Sequence, residues 1–286
     1  MADVFPSLTK VWHSKPYRDI DPTRPELSAK DKVVAITGGG GAIGSAIALA
    51  FARAGSRKIA VIGRREGPLQ ETKKKVESEV SNAHVLVVHG DLTQADSMRG
   101  ALGNVKQELG EINILVANGG YLPKFQALAE ADPEEWRMGF ETNVFGAFNL
   151  SRAFMSVASK DAVVVDISTC VVHLPAMKTA SGYVASKLAA TKIWETFGRE
   201  TGIDVVHIHP GVVYSELNVK SGVVPADDEN LPGQFVVWAV SPEARPFRGK
   251  YLWANWDVKE LLDRKEELSK PNQLAITLQG WPFDQA

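Results

Sequence analysis

Several large classes of protein are excluded by what this sequence has little of. Its 286 residues hold one cysteine, Cys170. A single thiol rules out an internal disulfide and a cysteine-built metal centre, and it fits a reducing compartment. Excess charge is missing as well. The 32 basic and 34 acidic residues leave a formal charge of −2, with no electrostatic footprint for nucleic acid or an anionic membrane. No run approaches the roughly 20 apolar residues of a membrane helix. Lys10, His13, Lys15 and Arg18 interrupt the N-terminus where the apolar stretch of a signal peptide would lie. The six histidines show no metal-ligand spacing, so no metal is expected. These absences leave a cytoplasmic globular protein whose 44% apolar residues suffice for a sizeable core.

Residues 1–30 carry Pro6, Pro16, Pro22 and Pro25 among scattered charges, and read as an extended N-terminal arm. From residue 31 the pattern is regular, and one domain is predicted over 31–286. Short runs rich in Val and Ile at 33–37, 59–62, 85–88, 114–117, 163–167 and 205–209 read as strands buried on both faces. Stretches between them, among them 42–54, 68–81, 133–156 and 183–201, read as helices. This alternation predicts an α/β fold with a doubly wound parallel sheet. A run at 250–253 adds an edge strand. Residues 214–234 are irregular, with Gly222, Pro225, Pro232, Gly233 and an acidic cluster at 227–229. They fall where such sheets bind ligands and read as a lid or as a long solvated loop.

The first strand runs through Gly38, Gly39, Gly40, Gly41, Ala42, Ile43 and Gly44 into an apolar helix. Glycine lets the backbone turn sharply and approach a pyrophosphate, whose charge the helix N-terminal amides stabilise. The loop resembles the T-G-x-x-x-G-x-G turn of the short-chain dehydrogenase/reductase family. It matches at Thr37, Gly38 and Gly44, and carries Ala42 where the family has glycine. The resemblance implies a single-domain Rossmann fold with a dinucleotide held along Gly38, Ala42, Ile43 and Gly44.

Further segments extend the likeness from about residue 30 to 255. After the second strand stand Arg64 and Arg65, with no carboxylate until Glu66. A carboxylate there would bond a ribose 2′-hydroxyl, whereas arginine suits a 2′-phosphate, so NADP(H) is expected over NAD(H). Asp91 and Leu92 follow the third strand, where the related enzymes contact adenine. The aspartate could instead cap a short helix. Asn118-Gly119-Gly120 resembles the family's N-N-A-G, with Ala117 in place of its first asparagine, and implies contact on the adenine-ribose side. Pro210-Gly211-Val212-Val213-Tyr214-Ser215 resembles the family's turn after the sixth strand. It implies the Val212 backbone at the nicotinamide amide and Ser215 close by.

Tyr183 and Lys187 form the Y-x-x-x-K pattern, and four residues apart on a helix they share one face. An ammonium near a phenol favours the phenolate and brings proton exchange closer to neutral pH. In the resembling enzymes the lysine also holds the nicotinamide ribose. The segment Asp166-Ile167-Ser168-Thr169-Cys170 lies against the family's N-x-S-S. Thr169 aligns with the catalytic serine, Ser168 is its neighbour, and Cys170 offers a weaker donor. Alternate strand residues face opposite ways, so Ser168 and Thr169 remain alternatives for orienting a carbonyl. Asn143 matches the family's helix asparagine, which holds a water in the proton relay.

The resemblance implies hydride transfer between nicotinamide and a ketone or secondary alcohol. The expected walls, 121–126, 170–182 and 214–234, offer Tyr121, Phe125, Val171, Val172, Leu174, Met177 and Tyr214. His173 and Lys178 are among their few cationic groups. A bulky, mainly apolar small-molecule substrate follows. Stretches 253–257 and 280–283 resemble fungal members of the family, many of them in secondary metabolism. Related enzymes pair through the helices carrying Asn143 and Tyr183, which implies a homodimer or homotetramer. A non-redox isomerase or cyclase, or an NADP-sensing protein, are the competing readings; a sensor has no need of a proton donor.

Overall fold

The computed structural model describes residues 7–278. Seven parallel strands form one sheet in the order β3-β2-β1-β4-β5-β6-β7. They are β1 Val33–Thr37, β2 Lys58–Gly63, β3 His84–His89, β4 Ile112–Ala117, β5 Ala158–Ile167, β6 Asp204–His209 and β7 Tyr251–Trp253. The strand order reverses between β1 and β4, which opens a crevice at their carboxyl ends. β1 is buried at every residue, so it reads as a continuous apolar run and not as an alternation. This is the single-domain Rossmann architecture expected from the alternation of strands and helices.

Helices cover both faces. α1 Ala42–Arg53, α2 Glu66–Glu79 and α8 Asn230–Val240 close one core, into which α8 sends Phe235 and Trp238. α3 Ala95–Leu109, α5 Gly146–Phe154 and α6 Ser181–Thr201 close the other, around Leu102, Leu150, Phe154 and Trp194. α1 is apolar nearly all round because it lies between the sheet and α8. Two short helices, α9 Val258–Asp263 and α10 Lys265–Leu268, follow β7. Among the described residues no helix is long and apolar enough to cross a membrane.

Three local departures from the sequence reading bear on the site. The helix expected at 133–156 is α4 Pro133–Phe140 and α5, joined by one wider π turn at Glu141–Phe145. There the Gly146 amide reaches back five residues to the Glu141 carbonyl. Such insertions recur at functional sites, and this one carries Asn143. Within 214–234, α7 Glu216–Ser221 forms, ending on Gly222 in the left-handed region. α8 then starts at Asn230, with Pro232 in its first turn, where no amide is required. The arm is anchored, with Ile20 and Leu27 fully buried. Its Lys10 and Val11 amides donate to Glu260 at 2.8 and 2.9 Å, and the Tyr17 hydroxyl donates to the Trp256 carbonyl at 3.0 Å. Of the stretches likened to fungal enzymes, 280–283 lies outside the described residues.

Candidate active site

The chain leaves β1 through Gly38 at φ +63. A Cβ on Gly38 would stand 2.9 Å from Asn118 Nδ2, and one on Gly44 would stand 2.4 Å from the Gly38 carbonyl oxygen. Both positions therefore demand glycine. Asn118 Nδ2 donates to the Thr37 and Gly38 carbonyls at 3.0 and 3.1 Å. The Thr37 hydroxyl accepts from the Asn118 and Gly119 amides, each at 3.1 Å, which lashes the end of β4 to the loop. α1 then begins with no side-chain cap and no acidic residue in its first turn. Its leading amides, from Ala42 through Gly44, are open to an anion. A close-approach loop free of Cβ atoms, running into an uncapped helix N-terminus, fits the diphosphate of a dinucleotide.

The other expected cofactor residues ring this cradle. Arg64 and Arg65 are exposed after β2. Arg65 donates both its Nη1 and Nη2 to the Glu216 carboxylate on α7, at 3.0 and 2.7 Å. Asp91 Oδ1 caps its own turn, accepting from the Thr93 amide and hydroxyl at 2.9 Å each. The Leu92 carbonyl accepts from Asn149. Beyond β6, Pro210 leads into Gly211 at φ +88. The Val212 amide donates to Asp227 Oδ2 at 2.7 Å, and its carbonyl accepts from the Ala226 and Asp227 amides. Both backbone groups of Val212 are thus engaged within the fold, where the sequence led us to expect them at the nicotinamide amide. Ser215 caps α7, accepting from the Asn218 amide at 3.1 Å.

Tyr183 and Lys187 stand on the first turns of α6, above the end of β5. The Thr169 hydroxyl lies beside the Tyr183 phenol and tends to lower its pKa. Desolvation nonetheless pushes the phenol up to about 12, against the lowering effect of Thr169. Lys187 is 7% exposed, and its Nζ donates to the Ile167 carbonyl at 2.8 Å. Burial lowers its pKa, and the negative charge of Asp166 opposes that. Ser168 points the other way, its hydroxyl 2.9 Å from that of Thr191. Thr169 is therefore the hydroxyl that the fold brings to Tyr183. The Cys170 thiol is buried and pushed up to about 12, which keeps it protonated.

Asn143 joins this cluster through the π turn. Its Oδ1 accepts from the Tyr121 amide at 2.8 Å, and its Nδ2 donates to the Tyr121 carbonyl and the Ser186 hydroxyl at 2.9 Å each. It thereby ties the wall at Tyr121 to the catalytic helix. Ser186 lay inside the Y-x-x-x-K segment without a signal of its own. His209 was also unannounced. Its Nδ1 accepts from the Cys170 amide at 3.2 Å, and burial drives its pKa down to about 3, so it is a neutral brace beneath the loop of Thr169. His173 does not bring the cationic group expected of the wall. Its Nε2 accepts from the Trp253 indole at 3.1 Å, and desolvation lowers its pKa further.

Comparison with known proteins agrees with this geometry. A family model described as short chain dehydrogenase matches residues 32–223. A short chain dehydrogenase/reductase of Claviceps purpurea is 33% identical over 273 residues, covering 93% of this chain and 91% of the relative. Another, nsrO of Aspergillus novofumigatus, is 31% identical over 281 residues, covering 94% and 95%. Among solved structures, an alcohol dehydrogenase from the archaeon Thermococcus sibiricus complexed with 5-hydroxy-NADP aligns with a TM-score of 0.67 at 26% identity, over 73% of this chain and 90% of that one. A dehydrogenase from Shigella flexneri, at a TM-score of 0.74 and 19% identity over 81% and 93%, shares the fold. The cradle, the sheet and these matches place the chain in the short-chain dehydrogenase/reductase family, an oxidoreductase family whose fold binds a nicotinamide cofactor and acts on small molecules.

Proposed function

We propose that this protein is an NADP(H)-dependent oxidoreductase that interconverts a ketone and its secondary alcohol on a bulky, mainly apolar substrate. The observation that carries the reading is the Tyr183 phenol, set beside Thr169 and one helical turn from the buried Lys187. When bound, the nicotinamide supplies or takes up the hydride. Gly38, Ala42, Ile43 and Gly44 receive the diphosphate, while Asp91, Leu92, Asn118 and Gly119 flank the adenosine. Pro210, Gly211, Val212 and Ser215 border the nicotinamide. Arg64 and Arg65 receive a 2′-phosphate, a preference supported by the NADP analogue in the Thermococcus relative.

Tyr183 passes the proton to the substrate oxygen in reduction and takes it back in oxidation. Thr169 donates to the same oxygen and aligns it. A phenol held as high as about 12 gives up its proton reluctantly, and the Lys187 ammonium on the same helix face favours the phenolate. Asn143 faces a cavity shared with Lys187 and holds the water that relays the proton. Tyr121, Phe125, Leu174, Met177 and Tyr214 supply an apolar wall, with residues 214–234 as lid. The enzyme works in the cytoplasm as a homodimer or homotetramer.

The test is loss of NADPH absorbance with a panel of bulky ketones. Tyr183→Phe should lower turnover by about 100-fold or more, with NADPH binding nearly unchanged. Retained turnover in that variant overturns the mechanism. Tight NADPH binding by the wild-type protein without oxidation by any ketone would favour a non-redox isomerase, cyclase or sensor.

A further inference from the structure

Beneath the Tyr183–Lys187 pair lies a buried acid that the proposed chemistry does not use. Asp166 stands near the end of β5, where the related enzymes carry asparagine, and it is 2% exposed. Its Oδ2 lies 3.0 Å from His207 Nδ1 on the neighbouring β6 and accepts from the Thr191 hydroxyl at 3.3 Å. Asp166, Lys187, Asn143 and Thr142 line one small cavity of about 20 Å³. That is room for a single water. The Thr142 hydroxyl is buried beside it and has no hydrogen-bond partner among the described residues. The Lys187 ammonium is fixed on the Ile167 carbonyl, the residue after Asp166.

A carboxylate this deep is costly unless it is hydrogen-bonded and faces an opposite charge. His207 and Thr191 supply the bonds, and Lys187 across the cavity supplies the charge. The other ionisable groups around it stay neutral: burial holds the Cys170 thiol and the Tyr251 phenol protonated and His209 unprotonated. Tyr251 of β7 stacks on His207 at 6.2 Å between ring centroids and closes the far side.

We propose that Asp166 is the charge-setting residue of the catalytic pair, a buried counter-ion set across the cavity from Lys187. This rests on the assignment of Tyr183 and Lys187 as the proton-transferring pair. The direction follows from simple electrostatics. A negative charge beside Lys187 favours the ammonium, and the same charge disfavours a phenolate at Tyr183. The second effect acts on the phenol directly, so removing the charge advances its ionisation.

The test is Asp166→Asn, which keeps the shape and removes the charge. In the NADP⁺ complex, the ultraviolet tyrosinate signal is followed against pH, with and without Tyr183→Phe, so that the difference isolates Tyr183. The signal should appear about one pH unit or more lower in Asp166→Asn than in the parent protein, and Asp166→Glu should restore it. Should Asp166→Asn not fold, Thr191→Val removes one donor from the carboxylate, and a smaller shift in the same direction is expected. An unmoved or raised Tyr183 signal in the folded variant overturns the inference, since a merely structural residue would leave the titration in place. If Tyr183→Phe keeps its turnover, the underlying assignment fails instead. An inactive Tyr183→Phe with an unmoved Asp166→Asn titration sinks the charge-setting role alone.

Discussion

Arg65 already holds an anion. Glu216 fills its guanidinium fork with two bonds, and each partner is largely exposed. On the proposed NADP(H) reading, a 2′-phosphate arriving at Arg65 would take the place of that carboxylate and make Glu216 an internal competitor of the cofactor. Replacing Arg64 and Arg65 by alanine should weaken NADPH far more than NADH in a binding titration; equal losses refute the phosphate assignment. Glu216→Gln should tighten NADPH by up to about fivefold, because an exposed ion pair is worth at most about 1 kcal/mol, and should leave NADH unchanged. Tyr183, Lys187, Asn143, Gly38 and Gly44 stood out in the sequence because fixed spacing marks them, and the fold brings Tyr183, Lys187 and Asn143 into one cluster. The choice between Ser168 and Thr169 was not. Adjacent hydroxyls at a strand end look alike in sequence, and they part only once the Ser168 amide pairs with the Ile208 carbonyl and the pleat turns the two to opposite sides. Asp227 was hidden for a similar reason, since a cluster of acids at 227–229 reads as solvated charge until the Val212 amide and Asn255 are seen to claim one member.

At the scale of elements the seven strands and the order of the helices were readable, because buried parallel strands announce themselves as short Val and Ile runs. The π turn was not, since inserting one residue leaves an amphipathic pattern almost unchanged. α7 escaped notice because six residues between Ser215 and Gly222 are too few for a period to show. This short helix is held at both ends. Glu216 meets Arg65 on the cofactor side. On the other side Lys220 meets Glu135 at 2.7 Å and the Tyr121 hydroxyl at 3.0 Å, with its ammonium 4.3 Å from the Tyr121 ring centroid. An isolated helix of this length is marginal in water, so its order depends on these two contacts. Lys220→Met should therefore speed hydrogen exchange of the amides at 216–222 while leaving those of α6 unchanged. Exchange at 216–222 that stays at the wild-type rate would show that packing alone orders this helix.

For the whole molecule, the outer face of the π turn and α5 remains to be covered. Phe145, Phe148 and Met155 are exposed at 53%, 46% and 60%, and Arg152 lies over the Phe148 ring at 5.4 Å. Their spacing of three, four and three residues puts all four on one helical face. The opposite face of α5 is spent in the core, where Leu150, Ala153 and Phe154 are buried. Contiguous apolar side chains outside a core are normally covered by a partner, and a second copy related by a two-fold axis presents the same patch to itself. Such pairing would also brace the turn from which Asn143 reaches Tyr121 and Ser186. Phe148→Glu places a like charge against its own image in that arrangement. Sedimentation of the wild-type protein at micromolar concentration should give a dimer or tetramer, and the variant should move toward half the mass. Its turnover should fall while the glycine cradle, which runs into α1 on the opposite face of the sheet, keeps its affinity for NADPH. A wild-type protein that sediments as a monomer, or a variant that assembles as before, would remove this face from the assembly.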